Sequence, residues 1–225
     1  MRTYISPIGY NSTSVTRPVL SRGIDSGDTI VLLRPASESD DSRATEAVSD
    51  VERMVTEIEP AVSLTVERIP HDDLPSAVIR CSDVIQAAEP DRIVNLGGGA
   101  RDILLPFTIA TLAHATRIDT VLFFSDIDGS AREWDLPLLT ETPSSRACNT
   151  LSTIAAYDND TTIPELTETL DRSKSTITRH VNELEELGAV ETWREGKTKH
   201  VRSTLTGELL IRSRAGEDSP ADRSN

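Results

Sequence analysis

The sequence predicts an α/β chain in two parts, a mostly parallel sheet layered by helices and then a small helical unit closed by a β-hairpin. Three observations lead there. Short β-branched runs alternate with helical periodicity over the first 140 residues, the signature of an open α/β sheet. A polar, proline-bearing stretch at 140–146 (TETPSSR) then interrupts the alternation. Beyond it the pattern turns to helix and a short hairpin, and the last ten residues (GEDSPADRSN) are polar throughout. These boundaries give one domain over residues 1–139, a linker at 140–146, a second domain over 147–215 and a disordered tail at 216–225.

In the first domain, strands are expected at residues 3–8, 29–33, 63–68, 92–96 and 120–124, with a sixth near 134–139. Helices fall between them. The first runs over 12–22 and stops at Gly23, and the second, 41–59, places Ala44, Val48, Val51, Val55 and Ile58 on one face. The third covers 74–88 and the fourth runs from Arg101 to about Thr116. Right-handed crossovers between parallel strands put helices on both faces, which makes the sheet Rossmann-like.

The second domain opens with a helix capped at Thr162, where Pro164 and Glu165 complete a capping box, and ends near Leu170. A four-residue turn leads to Ser173 as the next N-cap. The helix it starts carries Ile177, Val181, Leu184 and Leu187 on its apolar face until Gly188 stops it. Strands at 189–193 and 199–205 flank a turn at Glu195-Gly196. This order of elements is that of a winged helix-turn-helix, so double-stranded DNA is the expected partner. The side chains left outward on the second helix and its flank, Lys174, Ser175, Thr176, Thr178, Arg179 and Asn182, suit base edges and phosphates, while Arg194, Lys197 and Lys199 on the wing can reach the DNA backbone. The alternative is a solvated amphipathic helix beside a hairpin that merely packs.

Net charge is −14, which opposes DNA binding unless the charge is segregated. It is segregated: residues 172–202 carry seven basic and five acidic side chains, and the chain's only three lysines lie there. So acidic a balance elsewhere resembles proteins of salt-in halophiles, where surface carboxylates keep a protein dispersed. No run of 18 apolar residues and no signal-peptide pattern is present, so a cytoplasmic protein with no membrane association is expected. Cys81 and Cys148 stand far apart without neighbouring histidines, giving neither a zinc site nor a disulfide framework. Asp126 and Asp128 read as turn residues rather than a metal site, and His114 as a packed or surface histidine. No catalytic residue, metal or cofactor is expected, and no enzyme activity.

The remaining motif is residues 93–102 (IVNLGGGARD), a buried-strand pattern running through three glycines into a helix. Glycines there let a ligand approach the backbone, and free amides at a helix N-terminus favour an anion. It is neither a Walker A loop nor a G-x-G-x-x-G fingerprint. A tight strand-to-helix turn alone would also explain it, and Arg101 serves equally as a solvated arginine or a phosphate partner.

Two sets of residues carry a family resemblance. The segment SKSTITRHVNELEELGAVE resembles the second-helix region of archaeal winged-helix regulators. The Gly9-Tyr10 turn after the first strand and the Asn95, Leu96, Gly98, Gly99, Arg101 loop, together with that winged helix, resemble the archaeal CRISPR-associated CARF winged-helix regulators, here of haloarchaeal type. The resemblance implies a CARF-like N-terminal domain that dimerises and binds a cyclic oligoadenylate across the two-fold axis. Gly9, Tyr10, Asn11 and Ser12 from one loop and Gly97, Gly98, Gly99, Ala100 and Arg101 from the other would then line the pocket. Gly97 departs from the family, which has Ser or Thr there. The function implied is ligand-responsive transcription control of CRISPR or defence genes, the alternatives being a cyclic-oligonucleotide phosphodiesterase and a ligand-independent DNA-binding protein.

Overall fold

A computed structural model describes residues 1–36, 42–89 and 91–214. The chain divides into two compact units, Met1–Leu136 and Pro137–Asn225.

The first unit runs β1 (Thr3–Pro7), α1 (Thr13–Arg22), β2 (Thr29–Pro35), α2 (Ser42–Ile58), β3 (Ser63–Ile69), α3 (Leu74–Ala87), β4 (Arg92–Asn95), α4 (Arg101–Ala113), β5 (Thr120–Phe124) and β6 (Ala131–Glu133). The strands form one sheet in the order β3-β2-β1-β4-β5-β6, parallel except for β6. Because side chains alternate along a strand, β1, β2, β4 and β5 each feed two cores. Ile5, Leu33, Val94 and Val121 pack with Cys81 and Ile85 of α3 and Ile103 and Phe107 of α4. Tyr4, Ile30, Leu32, Ile93 and Leu122 pack with Val15 and Val19 of α1 and Val51 and Val55 of α2. The mostly parallel, doubly covered sheet follows from this pattern.

Two expectations need correction here, and one bound falls outside the described residues. The sixth strand is Ala131–Glu133 rather than 134–139, because the chain reverses directly after β5. Asp128 accepts hydrogen bonds from the Ser130 amide (3.0 Å) and hydroxyl (2.7 Å), Gly129 takes φ +67, and the Ser125 amide donates to the Ser130 carbonyl. Trp134, expected to open the strand, instead stacks on Phe123 just beyond it, with ring centroids 4.1 Å apart. The fourth helix stops at Ala113, and Ala115–Arg117 form a separate 3-10 turn. The second helix is described over Ser42–Ile58, and its expected first residue, Asp41, lies outside the described residues.

The second unit runs α5 (Ser145–Ala155), β7 (Thr161–Thr162), α6 (Ile163–Leu170), α7 (Lys174–Glu186), β8 (Val190–Glu195), β9 (Thr198–Ser203) and α8 (Leu205–Arg214), with an antiparallel sheet in the order β7-β9-β8. The capping box forms as expected: Thr162 receives the Glu165 amide and its own amide donates to Glu165 Oε2 at 2.8 Å. Asp171 takes the left-handed conformation that ends α6, and the Ser173 hydroxyl accepts from the Thr176 amide to start α7. Leu151 and Ile154 of α5, Leu166 of α6, Ile177, Val181 and Leu184 of α7, and Val201 of β9 make one core.

The stretch expected as a linker, 140–146, already contains the start of α5, whose N-cap Ser144 accepts from the Ala147 amide. The last strand ends at Ser203 instead of 205. Thr204 leaves the sheet, donating its amide to the Ala189 carbonyl and accepting from the Gly207 amide, so Leu205 begins a helix. On α7 Leu187 is only partly buried, and His180 joins the buried face instead. The expected tail at 216–225 lies outside the described residues. Among those described, no helix is long and apolar enough to cross a membrane.

Candidate functional site

In an open parallel sheet, ligands bind beyond the carboxyl ends of the strands where the strand order reverses. Here β1 is followed outward by β2 on one side and β4 on the other, so the reversal lies between β1 and β4. The loops leaving these two strands meet at that point. Gly9 faces Gly99, and a β-carbon on Gly9 would stand 3.4 Å from the Gly99 Cα. Between them opens a concavity of about 310 Å³ lined by Ile8, Gly9, Tyr10, Asn11, Ser14, Pro35, Gly98, Gly99, Ala100 and Asp126.

The glycines are required by packing. A β-carbon on Gly97 would lie 2.5 Å from the Phe124 Cβ, one on Gly98 would collide with Ser14 Oγ, and one on Gly99 would lie 2.6 Å from the Pro7 Cβ. Gly98 and Gly99 also take φ +77 and +78, a region that side chains disfavour. Beneath the loops Asn95 Nδ2 donates to Ser6 Oγ and the Ser14 carbonyl, both at 2.8 Å, which ties β4 to β1 and α1. Asn11 Oδ1 accepts from the Thr13 amide, turning the chain into α1.

Of the nine residues expected in this pocket, Gly9, Tyr10, Asn11, Gly98, Gly99 and Ala100 line it. Ser12, Gly97 and Arg101 do not: Ser12 supplies its carbonyl to the first turn of α1, Gly97 is buried against Phe124, and Arg101 is exposed one residue past the lining. Ile8, Ser14, Pro35 and Asp126 line it and were missed: Ile8 and Ser14 flank the expected 9–12 segment, while Pro35 and Asp126 come from segments distant in sequence. Tyr10 is 60 % exposed, and the Arg43 guanidinium carbon sits 4.3 Å from the centroid of its ring. Such a cation–π contact contributes about 0.5–1 kcal/mol at an exposed site.

Neither aspartate of the β5–β6 turn belongs to a metal cluster, of which there is none among the described residues. Hydrogen bonds from Ser130 hold the Asp128 carboxyl well below its ordinary range. His114 Nε2 meets Ser82 Oγ at 2.7 Å, a tie between α4 and α3 at the far end of α4, roughly 20 Å along the helix from the glycine loop.

In the second unit, α7 presents Lys174, Ser175, Thr178, Arg179 and Asn182 around one shallow concavity, together with Glu183 and Glu186. Lys174, Ser175, Arg179 and Asn182 are exposed, while Thr176 and Thr178 are half-buried. The Thr176 and Ser175 hydroxyls are shared with the capping Ser173 at 2.9 and 3.0 Å, so both also serve the helix start. Lys197 and Arg194 are exposed on the hairpin, which turns at Gly196 with φ +61. Lys199 differs: its Nζ donates to Glu185 Oε2 at 3.0 Å and Asn182 Oδ1 at 3.3 Å, pinning the wing to α7. The acidic residues of α7 have structural duties of this kind. Glu183 accepts from the Ser144 amide (2.7 Å) and hydroxyl (3.1 Å), which lowers its pKa and joins α5 to α7.

Residues 2–129 match the family described as Csa3 CRISPR-associated Rossmann-like domain, and residues 145–192 match the IclR helix-turn-helix domain. No protein of curated function matches the chain. Among solved structures, FabT of Streptococcus pneumoniae in complex with DNA is similar at 25 % identity over 33 % of this chain and 53 % of its own, with a TM-score of 0.30. The chain thus spans about half the length of FabT. AF1382 of Archaeoglobus fulgidus is 25 % identical over 33 % of this chain and 85 % of its own (TM-score 0.31). Protein VC1899 of Vibrio cholerae is 8 % identical over 93 % and 64 % (TM-score 0.40).

Proposed function

This chain belongs to the family of the Csa3 CRISPR-associated Rossmann-like domain, and on that premise we propose that it is a ligand-responsive regulator of CRISPR or defence genes. It is a DNA-binding transcriptional regulator with an IclR-type helix-turn-helix behind its Csa3 domain. Its sensor ligand is a cyclic oligoadenylate. The observation that carries this reading is the concavity where the β1 and β4 loops meet, with the N-terminus of α4 opening onto it. Free amides at a helix N-terminus suit a phosphate.

The volume supports a shared site. At about 310 Å³ the concavity is at the lower end of small-molecule sites, which span about 300–1,000 Å³, so a ligand of several nucleotides needs two copies of it. The chain therefore acts as a homodimer. On α4 the exposed Leu105 (60 %) and Ile109 (47 %) continue, four residues apart, a stripe that begins at Arg101 beside the concavity. Beyond its charged first turn α4 leaves this apolar pair outward, and a two-fold contact along the stripe covers it. The acidic surface fits a salt-rich cytoplasm such as that of haloarchaea.

The test is operator affinity, measured by gel shift with and without cyclic tetra-adenylate, for wild type and Arg101→Glu. Saturating ligand should change wild-type affinity by about 5- to 150-fold, the usual range of coupling between sites. Arg101→Glu should lose the response and keep its basal affinity. Ligand that binds by calorimetry yet leaves DNA affinity unchanged would falsify the sensor role.

A further inference from the structure

The two ends of an asparagine carboxamide have opposite chemistry: Oδ1 accepts hydrogen bonds and Nδ2 donates them. Asn182 is exposed on α7 and lines the concavity there together with Arg179. It also has a fixed neighbour on the wing, since Lys199 Nζ lies 3.3 Å from its Oδ1. An ammonium carries three donors and no acceptor, so only the oxygen end of Asn182 can face it. The orientation of this side chain is therefore set by chemistry.

The ammonium is itself held. Glu185 accepts the Thr192 hydroxyl of β8 with one carboxylate oxygen and Lys199 Nζ of β9 with the other, at 3.0 Å. Both strands of the wing thus grip one carboxylate, and Lys199 leaves Asn182 only by giving up that ion pair. Asn182 Nδ2 has no hydrogen-bond partner among the described residues, so donors are what this side chain has left to offer. Arg179, three residues earlier on the same helix, likewise offers donors alone.

Purines differ in what they show such a surface. In the major groove guanine presents two acceptors, N7 and O6, whereas adenine presents the N7 acceptor next to the N6 donor. An asparagine with both ends free suits adenine, giving its amide to N7 and accepting from N6. Asn182 has its oxygen turned to the wing. Adenine N6 would then meet the Nδ2 group donor to donor, and guanine O6 would not.

We propose that Asn182 reads guanine, with Lys199 as the positioning residue that turns its amide donors toward the base. This rests on α7 being the helix that enters the major groove, and adds to it the base selected at one operator position. It is independent of any ligand of the first unit.

The full chain selects from a pool of randomised duplexes, and the position read by Asn182 is the one whose preference disappears in Asn182→Ala. Wild type should favour guanine over adenine there by at least about fivefold, the lower end for a well-placed base contact. In Lys199→Met the oxygen is released, so that ratio should fall to near parity while the preference relaxed by Arg179→Ala, at its own position, is kept. Placing 7-deazaguanine at the Asn182 position, which removes N7, should weaken wild type and leave Asn182→Ala unaffected. Should Lys199→Met fail to fold by circular dichroism, the 7-deazaguanine comparison decides. Adenine preferred by wild type, an unchanged ratio in folded Lys199→Met, or equal losses to 7-deazaguanine in wild type and Asn182→Ala overturns the proposal. So does an Asn182→Ala selection identical to wild type, and a preference still lost in Arg179→Ala then leaves α7 as the reading helix. A wild type that enriches no sequence overturns both.

Discussion

His180 sits within the winged-helix core, its Nδ1 2.8 Å from Thr150 Oγ1 on α5 and its Nε2 buried without a hydrogen-bond partner among the described residues. Burial pushes its pKa down from the ordinary value of about 6.5, and the charges of Arg179, Arg146 and Arg172 push the same way against an opposing pull from Glu183. Below that ordinary value the unfolded chain takes up a proton that the folded one refuses. The unfolded state then binds more protons, so stability rises with pH and is lost as pH falls from about 6.5 through the depressed folded value. Urea unfolding followed by circular dichroism should show the wild-type midpoint falling between about pH 7 and pH 5, and the fall should be smaller in His180→Gln. Equal falls in the two proteins would remove His180 as the cause. The sequence did contain this signal: His180 lies three residues after Ile177 and four before Leu184, on the same face, but a polar residue there does not register as apolar periodicity. Gly97 is the opposite case. Its glycine reads as ligand chemistry until Phe124, in another strand, is seen to occupy the place of its side chain.

Among elements, α7 and its wing carry both exposed side chains proposed to read DNA and side chains that hold the two together. Arg179 is exposed and lines the α7 concavity, whereas Lys199 is committed to Glu185 and Asn182. In gel-shift titrations Arg179→Ala should therefore cost about 1–3 kcal/mol of operator binding, the range for a bidentate base contact. Lys199→Ala should cost less than one phosphate contact, because the charge is already partly spent on Glu185. If Lys199→Ala proved the more damaging of the two, the assignment of α7 as the reading helix would be wrong. Caps and stops made α6 and α7 legible, since Thr162, Glu165, Ser173 and Asp171 act locally. α5 and α8 were not. Their buried faces use Ala147, Thr150 and a single leucine or isoleucine per turn, too little contrast to stand out, and β7 is only two residues long.

At the scale of the whole molecule, the two-core sheet was readable because each strand is short, β-branched and bounded by turn residues. Strand order was not, since no local feature states which strand neighbours β1, and with the order went the position of the concavity. The same holds for the proposed dimer, whose surface emerges only once α4 is seen to leave Leu105 and Ile109 outward. Light scattering on the full chain at micromolar concentration should give twice the chain mass, and Leu105→Glu should give a monomer with unchanged circular dichroism. A wild-type monomer, or a Leu105→Glu dimer, rules out this stripe as the contact.

The bond from Asn95 to Ser6 joins residues 89 positions apart, and it ties β4 to β1 beneath the loops that line the proposed ligand site. On a growing chain, β1 emerges first and can pair at once only with β2, while its other edge stays open until β4 has been made. Closing so long a loop must precede any gain from it, so this joint carries the slow, entropically costly step of folding the first unit. The proposed ligand site is thus closed only after three crossovers of the sheet have been made.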